Sequence, residues 1–205
     1  MLAMQQPKTI HDFGGFPEEL FAQQYPAPGA SELAKETQRL SVKQHILLDD
    51  EWGFDHGTWS VLKQMFPKAD IPVYQLSIDY SKPMNYHFDL AQDLQSLREK
   101  GVMVIGSGNI VHNLSAVNFQ KDAKPYDWAM EFDSKVRQWI ESGDNASIVE
   151  FQKLGALSKL AHPTYDHFLP LIYVLGFKNK REVPSFFNDD FDMSSVSMRS
   201  MIYQR

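Results

Sequence analysis

Two short apolar, partly β-branched runs, IPVYQLSI from Ile71 to Ile78 and GVMVIGSG from Gly101 to Gly108, stand out from the mixed pattern around them and predict buried strands. Between them, YHFDLAQDLQSLREKG places Leu90, Ala91, Leu94 and Leu97 on one helical face, with Gly101 in the stop position. A crossover of that length between two strands favours parallel pairing. Upstream, YPAPGASE (Tyr25 to Glu32) reads as a loop that ends in a helix start, with Ser31 as the N-cap of ELAKETQRL. Downstream, Trp128, Phe132, Val136 and Trp139 recur at helical spacing in YDWAMEFDSKVRQWIES, and core packing is the simplest role for that stripe. TYDHFLPLIYVLG predicts a further helix, opened by Thr164, distorted at Pro170 and closed by Gly176. The tail VSMRSMIY alternates and predicts a last strand. No repeat, low-complexity tract or linker divides the chain. The expectation is α/β, a single domain with a central mixed, largely parallel sheet flanked by helices.

A chain of 205 residues, 43% hydrophobic and 13% aromatic, can bury a core of ordinary size, which agrees with one domain. Its net charge of −6 comes from interspersed acids and bases, without the basic footprint of a nucleic-acid or anionic-membrane binder. A small neutral, cationic or metal-bridged partner fits that balance better. The longest apolar run, Leu169 to Phe177, falls far short of the ~18 residues of a spanning helix. The opening MLAMQQPKTIHDF lacks the regions of a signal peptide, so the cytoplasm is the expected location. With no cysteine there is neither a disulfide framework nor a thiolate site, and a metal would take nitrogen and oxygen ligands.

The histidines carry the candidate chemistry. In WGFDHGTW (Trp52 to Trp59), His56 lies between an acid and a glycine, flanked by tryptophans that serve either as core or as an apolar wall for an aromatic ring. In VMVIGSGNIVHNL an apolar strand runs into Gly106-Ser-Gly108-Asn109 and then into His112, and strand ends of this kind are where ligands bind in open α/β sheets. The dinucleotide fingerprint fails there, because Val111 stands where the third glycine is needed. In AHPTYDHFLPL, His162 and His167 bracket a Pro-Thr turn, with Asp166 beside the second; alone, such a pair more often contains a surface cap. His11 and Asp12 precede Gly14-Gly15 in a tight loop, while His45 and His87 lack notable context and read as surface residues.

Taken in order, TIHDFGGFPEELF, YPAPG, WGFDHGTW, PVYQLSID, GSGNIVHNL and HPTYDHFLPLIYVLG resemble the 4,5-DOPA dioxygenase-like branch of the class III extradiol ring-cleavage dioxygenases, the LigB-like family. The likeness runs from about residue 8 to the end. It implies a divalent metal, iron(II) for oxygen chemistry or zinc(II) in some members, at the C-terminal edge of a central sheet. His167 is then a metal ligand, His112 lies at the metal or beside it, and His56 is the acid/base histidine. Neutral imidazole is a good ligand for either ion, and an outer group normally fixes its tautomer; Asp166 or Asn113 is the expected partner. An unligated histidine with an ordinary pKa near 6.5 suits a proton that leaves a catechol and is later returned.

The family pattern also has an upstream segment whose two strands end in HGSP-type and AHW-type motifs bearing further metal-ligating histidines. This chain carries neither motif, so the resemblance implies an N-terminally incomplete domain over residues 1–205 and a weak metal site. Loss of two strands from a sheet leaves apolar faces and an open edge, which implies self-association. The function expected is extradiol cleavage of a small aromatic diol such as DOPA or caffeate with dioxygen, without nucleic-acid or membrane partners. An inactive binding or interaction remnant, or a zinc-dependent hydrolase-like activity on the same scaffold, is the alternative.

Overall fold

The computed structural model describes residues 1–179 and 181–204, and these form two compact units, Met1–Asp79 and Tyr80–Arg205. In the first unit the helices are α1 (Glu18–Phe21), α2 (Ser31–Leu40) and α3 (His56–Met65). The second holds α4 (Met84–Asp93), α5 (Asp127–Ser142), α6 (Asn145–Val149), α7 (Ala156–Ala161) and α8 (Leu169–Phe177), followed by strands β1 (Val183–Phe187), β2 (Phe191–Asp192), β3 (Val196–Ser197) and β4 (Ser200–Gln204). The α/β class stands, as helices plus small sheets. Among the described residues the regular ladders are antiparallel, β1 with β4 and β2 with β3. Parallel pairing occurs as isolated bridges at Leu2–Asp49, Thr9–Phe54 and Gly29–Val73. No helix among these residues is long and apolar enough to cross a membrane.

The first unit folds around Leu2, Tyr25, Ala27, Phe54, Trp59 and Leu62. Its extended segments meet pairwise: Leu2 N–H donates to the Gln75 carbonyl, and the Phe54 and Ile10 amides exchange bonds with Lys8 and Phe54 carbonyls. The expected strand at Ile71–Ile78 is here a single bridge, at Val73, whose amide donates to Pro28 and whose carbonyl accepts from Ala30. The facing stretch explains why the ladder stops: Pro26 and Pro28 have no N–H to continue it. The same bond shifts the start of α2. Ala30, pinned by Val73, is the N-cap, and Ser31 is the first helical residue with no capping role.

In the second unit the face expected from Leu90, Ala91, Leu94 and Leu97 is buried as a set, although the helix tightens into a 3₁₀ turn over Gln95–Lys100 before Gly101 takes the left-handed conformation at φ 80°. It packs on α8, the element with no polar face, and Gly176 makes the crossing close. A Cβ there would lie 2.5 Å from Ala91 Cβ and 2.7 Å from the Phe88 carbonyl oxygen. The α8 helix begins later than the pattern predicts. Thr164 to Phe168 form turns, and Pro170 sits in the first turn of the helix, where its missing N–H costs nothing, so it starts the helix rather than distorting it. In α5 the buried face is Ala129, Phe132, Asp133, Val136 and Ile140, with Trp128 and Trp139 at its margins.

Two buried ion pairs fix the remaining segments. Arg98 forks onto Glu182 through two 2.6 Å bonds and also donates to the Phe177 carbonyl. Asp133 of α5 accepts from Arg199 Nε and Nη2 at 2.9 and 2.7 Å and from Ser197 Oγ at 2.6 Å. The tail expected as one strand is therefore two, β3 and β4, separated where Met198 and Arg199 turn the guanidinium inward onto Asp133. The run Gly101–Gly108 joins no ladder among the described residues. Gly106 lies against the α8 backbone at Pro170, and Gly108 against the His167 carbonyl just before that helix.

Gly176→Ala should destabilise the second unit by about 1–3 kcal/mol, the usual cost of overpacking. Adding Ala91→Gly should recover only part of that loss, because the Phe88 carbonyl remains in the way. Chemical denaturation of the two variants beside the parent chain measures both effects.

Candidate active site

In the second unit, Ile110 and Val111 are buried, and they hold the segment that carries His112. Ser197 N–H donates to the Val111 carbonyl and His112 N–H to the Ala161 carbonyl, each at 3.0 Å, and His112 bridges antiparallel to Val196. His167 lies just before α8. Its carbonyl accepts from Asn109 N–H at 2.9 Å, and its Nδ1 lies 3.1 Å from Asn109 Oδ1. The amide of Asn109 is oriented by a 3.0 Å bond from Nδ2 to the Ser197 carbonyl, which turns the oxygen toward the ring. As an acceptor, that oxygen places the proton on His167 Nδ1.

The glycines of GSGN serve this approach. A Cβ on Gly108 would run into the His167 carbonyl oxygen, and one on Gly106 would come within 2.7 Å of Val174 and 2.8 Å of the Pro170 carbonyl oxygen. With both backbones in contact, the imidazoles of His112 and His167 stack face to face, centroids 3.5 Å apart and planes 5° from parallel. Burial first, and the neighbouring His167 second, push His112 down to about 4, against the opposing pull of Asp166. His112 is thus neutral near pH 7. Asp166 lies 3.7 Å from His167 Nε2; its hydrogen bond from Thr164 and the two imidazoles outweigh burial and keep its carboxyl below the ordinary range.

The first unit carries the third expected residue. His56 opens α3, whose N-cap Asp55 accepts from Thr58 N–H. One oxygen of Asp12 meets His56 twice, at 3.0 Å from the backbone N–H and 2.9 Å from ring Nδ1. Phe13 stands edge-on to the ring, at 5.7 Å. Trp59 is core, buried and bonded through Nε1 to the Ile10 carbonyl, whereas Trp52 is half exposed. The apolar-wall reading therefore does not extend to Trp59.

Several sequence expectations change here. His87 is fully buried, with Nδ1 3.0 Å from the Tyr173 hydroxyl, so it is a core residue. His162 is no surface cap: it is buried among Phe132, Phe151 and Phe168, its Nε2 donates to the Ile110 carbonyl at 2.7 Å, and Nδ1 has no partner among the described residues. Asn113, one expected partner of a site imidazole, instead caps the turn at Ser115 and bonds the Leu160 carbonyl. Asn109 does the work at His167. Its signal in the sequence was its place immediately after the glycine turn.

The matching family model, the catalytic LigB subunit of aromatic ring-opening dioxygenases, spans residues 2–198. The chain belongs to the LigB family. It is 44% identical to the 4,5-DOPA dioxygenase extradiol of Escherichia coli K12 over 97% of its own length and 74% of that protein's, and 39% identical to the enzyme of the same name from Portulaca grandiflora over 85% and 65%. An uncharacterised Escherichia coli K12 protein of known crystal structure superposes with a TM-score of 0.83 at 38% identity, covering 98% of this chain and 78% of that one. The enzyme class expected from the sequence, an extradiol aromatic ring-opening dioxygenase, is the class of this LigB family and of those named relatives. LigB dioxygenases are generally metal-dependent. The donor type here fits, since neutral imidazoles suit a divalent ion. The donor count does not reach that of a full site: among the described residues no cluster of three or more His, Asp or Glu is placed to hold a metal.

The depressed histidines make the fold acid-sensitive. Folded, His112 and His162 both stay neutral down to about pH 4, whereas unfolded they take up a proton near 6.5. The unfolded state therefore binds more protons between those values, and stability should fall as pH drops through that window and level off below it. His162→Phe removes one of the two groups and should flatten the slope. Urea titrations across the window, followed by circular dichroism, measure it.

Proposed function

We propose that this LigB-family chain catalyses extradiol cleavage of a catechol related to DOPA, with iron(II) held by His112 and His167. The observation that supports this reading is the stack of two imidazoles, one of them kept neutral by burial, fixed on a backbone crossing that tolerates no side chain at Gly108. The reaction balances without an added reductant: both atoms of dioxygen enter the product, and the ring carbons supply the electrons as the bond beside the diol breaks. When bound, the metal supplies open positions for the diol and dioxygen side by side. The chain's own residues do the rest. Asn109 holds the His167 ring by Nδ1, so that Nε2 is the ligating atom. His56, half exposed and unligated in this reading, takes the hydroxyl proton of the catechol and later returns it.

A second reading has a specific observation in its favour. With two imidazoles as the histidine donors, affinity for iron(II) is weak, and the chain acts as a binding remnant, or with zinc(II) as a hydrolase-like protein. Metal titration followed by addition of DOPA or catechol in air separates these readings. Ring cleavage gives a yellow product only in the first.

In active, iron(II)-loaded protein, His56→Ala should lower ring cleavage by roughly 10²–10⁴-fold with metal content unchanged. His167→Ala should lose metal and turnover together. Loss of metal in the His56 variant would overturn its acid/base role.

A further inference from the structure

We propose that Asp12 is the positioning residue of His56: its carboxylate fixes the proton on Nδ1 and leaves Nε2 as the atom that exchanges the catechol proton. This role rests on the acid/base reading of His56 given above.

The geometry is specific. A single oxygen, Asp12 Oδ1, meets the backbone N–H of His56 at 3.0 Å and its ring Nδ1 at 2.9 Å. The backbone N–H is a permanent donor, so that oxygen is committed as an acceptor, and an ionised carboxylate has no proton to offer in return. Ring Nδ1 must then be the donor. The bonds from His56 outweigh partial burial and hold the Asp12 carboxyl below the ordinary range, so it is ionised at neutral pH. Neutral His56 carries its lone pair on Nε2.

Nearby groups do not compete for Nδ1. Asp55, the adjacent acid, is engaged by Thr58 N–H and by the Gln75 amide. His11 bonds through Nε2 to the Gln23 carbonyl and packs against Phe13 and Trp59. Lys63, the cation on the same helix, is held by the Gln23 side chain. Phe13, perpendicular to the His56 ring, opposes a ring flip. The residues are 44 apart in sequence, so the pairing is a tertiary contact and not a local turn.

Asp12 also caps the start of α3, and a purely structural role has to be separated from positioning. Asp12→Asn keeps an oxygen of the same reach for the cap and removes the charge. Asp12→Ala removes both. On the nitrogen-15-labelled 205-residue chain, long-range proton–nitrogen spectra, assigned with His56→Ala, should show the Nδ1–H form of His56 in the parent at neutral pH and a shift toward the Nε2–H form in Asp12→Ala. In iron(II)-loaded protein, Asp12→Ala should lose about 10–100-fold in kcat with little change in KM, the usual scale for removal of such a supporting partner. Asp12→Asn should move the acid limb of the kcat/KM profile to lower pH, because the carboxylate stabilises the imidazolium. An Asn profile superimposable on the parent, or an unchanged tautomer in the Ala variant, overturns the proposal. Retained ring cleavage in His56→Ala overturns it by a different route, since the acid/base reading then fails whatever the spectra show.

Discussion

At Gly108 the chain passes so close to the carbonyl of His167 that a single added carbon would not fit. The paired imidazoles depend on that crossing. It brings Asn109 into reach of His167 through both its backbone and its side chain, and it sets the two rings in van der Waals contact. Contact has an electrostatic result: burial already disfavours a charged His112, and the imidazole stacked on it adds repulsion, so His112 stays neutral near pH 7. The stacked imidazole pair thus follows from a steric fact about backbone.

The first unit reaches its chemistry by another route. Its extended segments meet at single bridges, and the order comes from a core of Tyr25, Phe54, Trp59 and Leu62. Trp59 secures the Ile10 carbonyl, which sets the path of the chain through His11 and Asp12. Asp12 then meets the first residue of α3. The polar pair is a by-product of aromatic packing beneath it, and its precision is that of the packing.

Much of this was legible in the sequence, and the failures are instructive. The buried face of Leu90, Ala91, Leu94 and Leu97 was written in its spacing, as was the stop at Gly101. The stacking of His112 on His167 is not written in spacing, which does not separate His167 from His162 or His87, both core residues; only the ordered set of motifs singles that pair out. The apolar pattern does not name a strand's partner: the neighbour of Val73 contains prolines, Gly106 faces the α8 backbone and Gly108 the His167 carbonyl. Whether Pro170 opens or distorts its helix depends on the turns before it, which no local rule gives. The role of Asn109 is not legible locally, since it lies in an orientation set by Ser197, some ninety residues on.

That last link reaches further. Ser197 supports both loops of the paired-histidine region, through the Val111 carbonyl and through the Asn109 amide, and is itself bonded to buried Asp133. Residues 196–199 therefore act as a keel for the segments that carry both imidazoles. Ser197, Arg199 and Asp133 would then be expected to vary in concert, since a substitution at any one of them loosens the segments that carry His112 and His167.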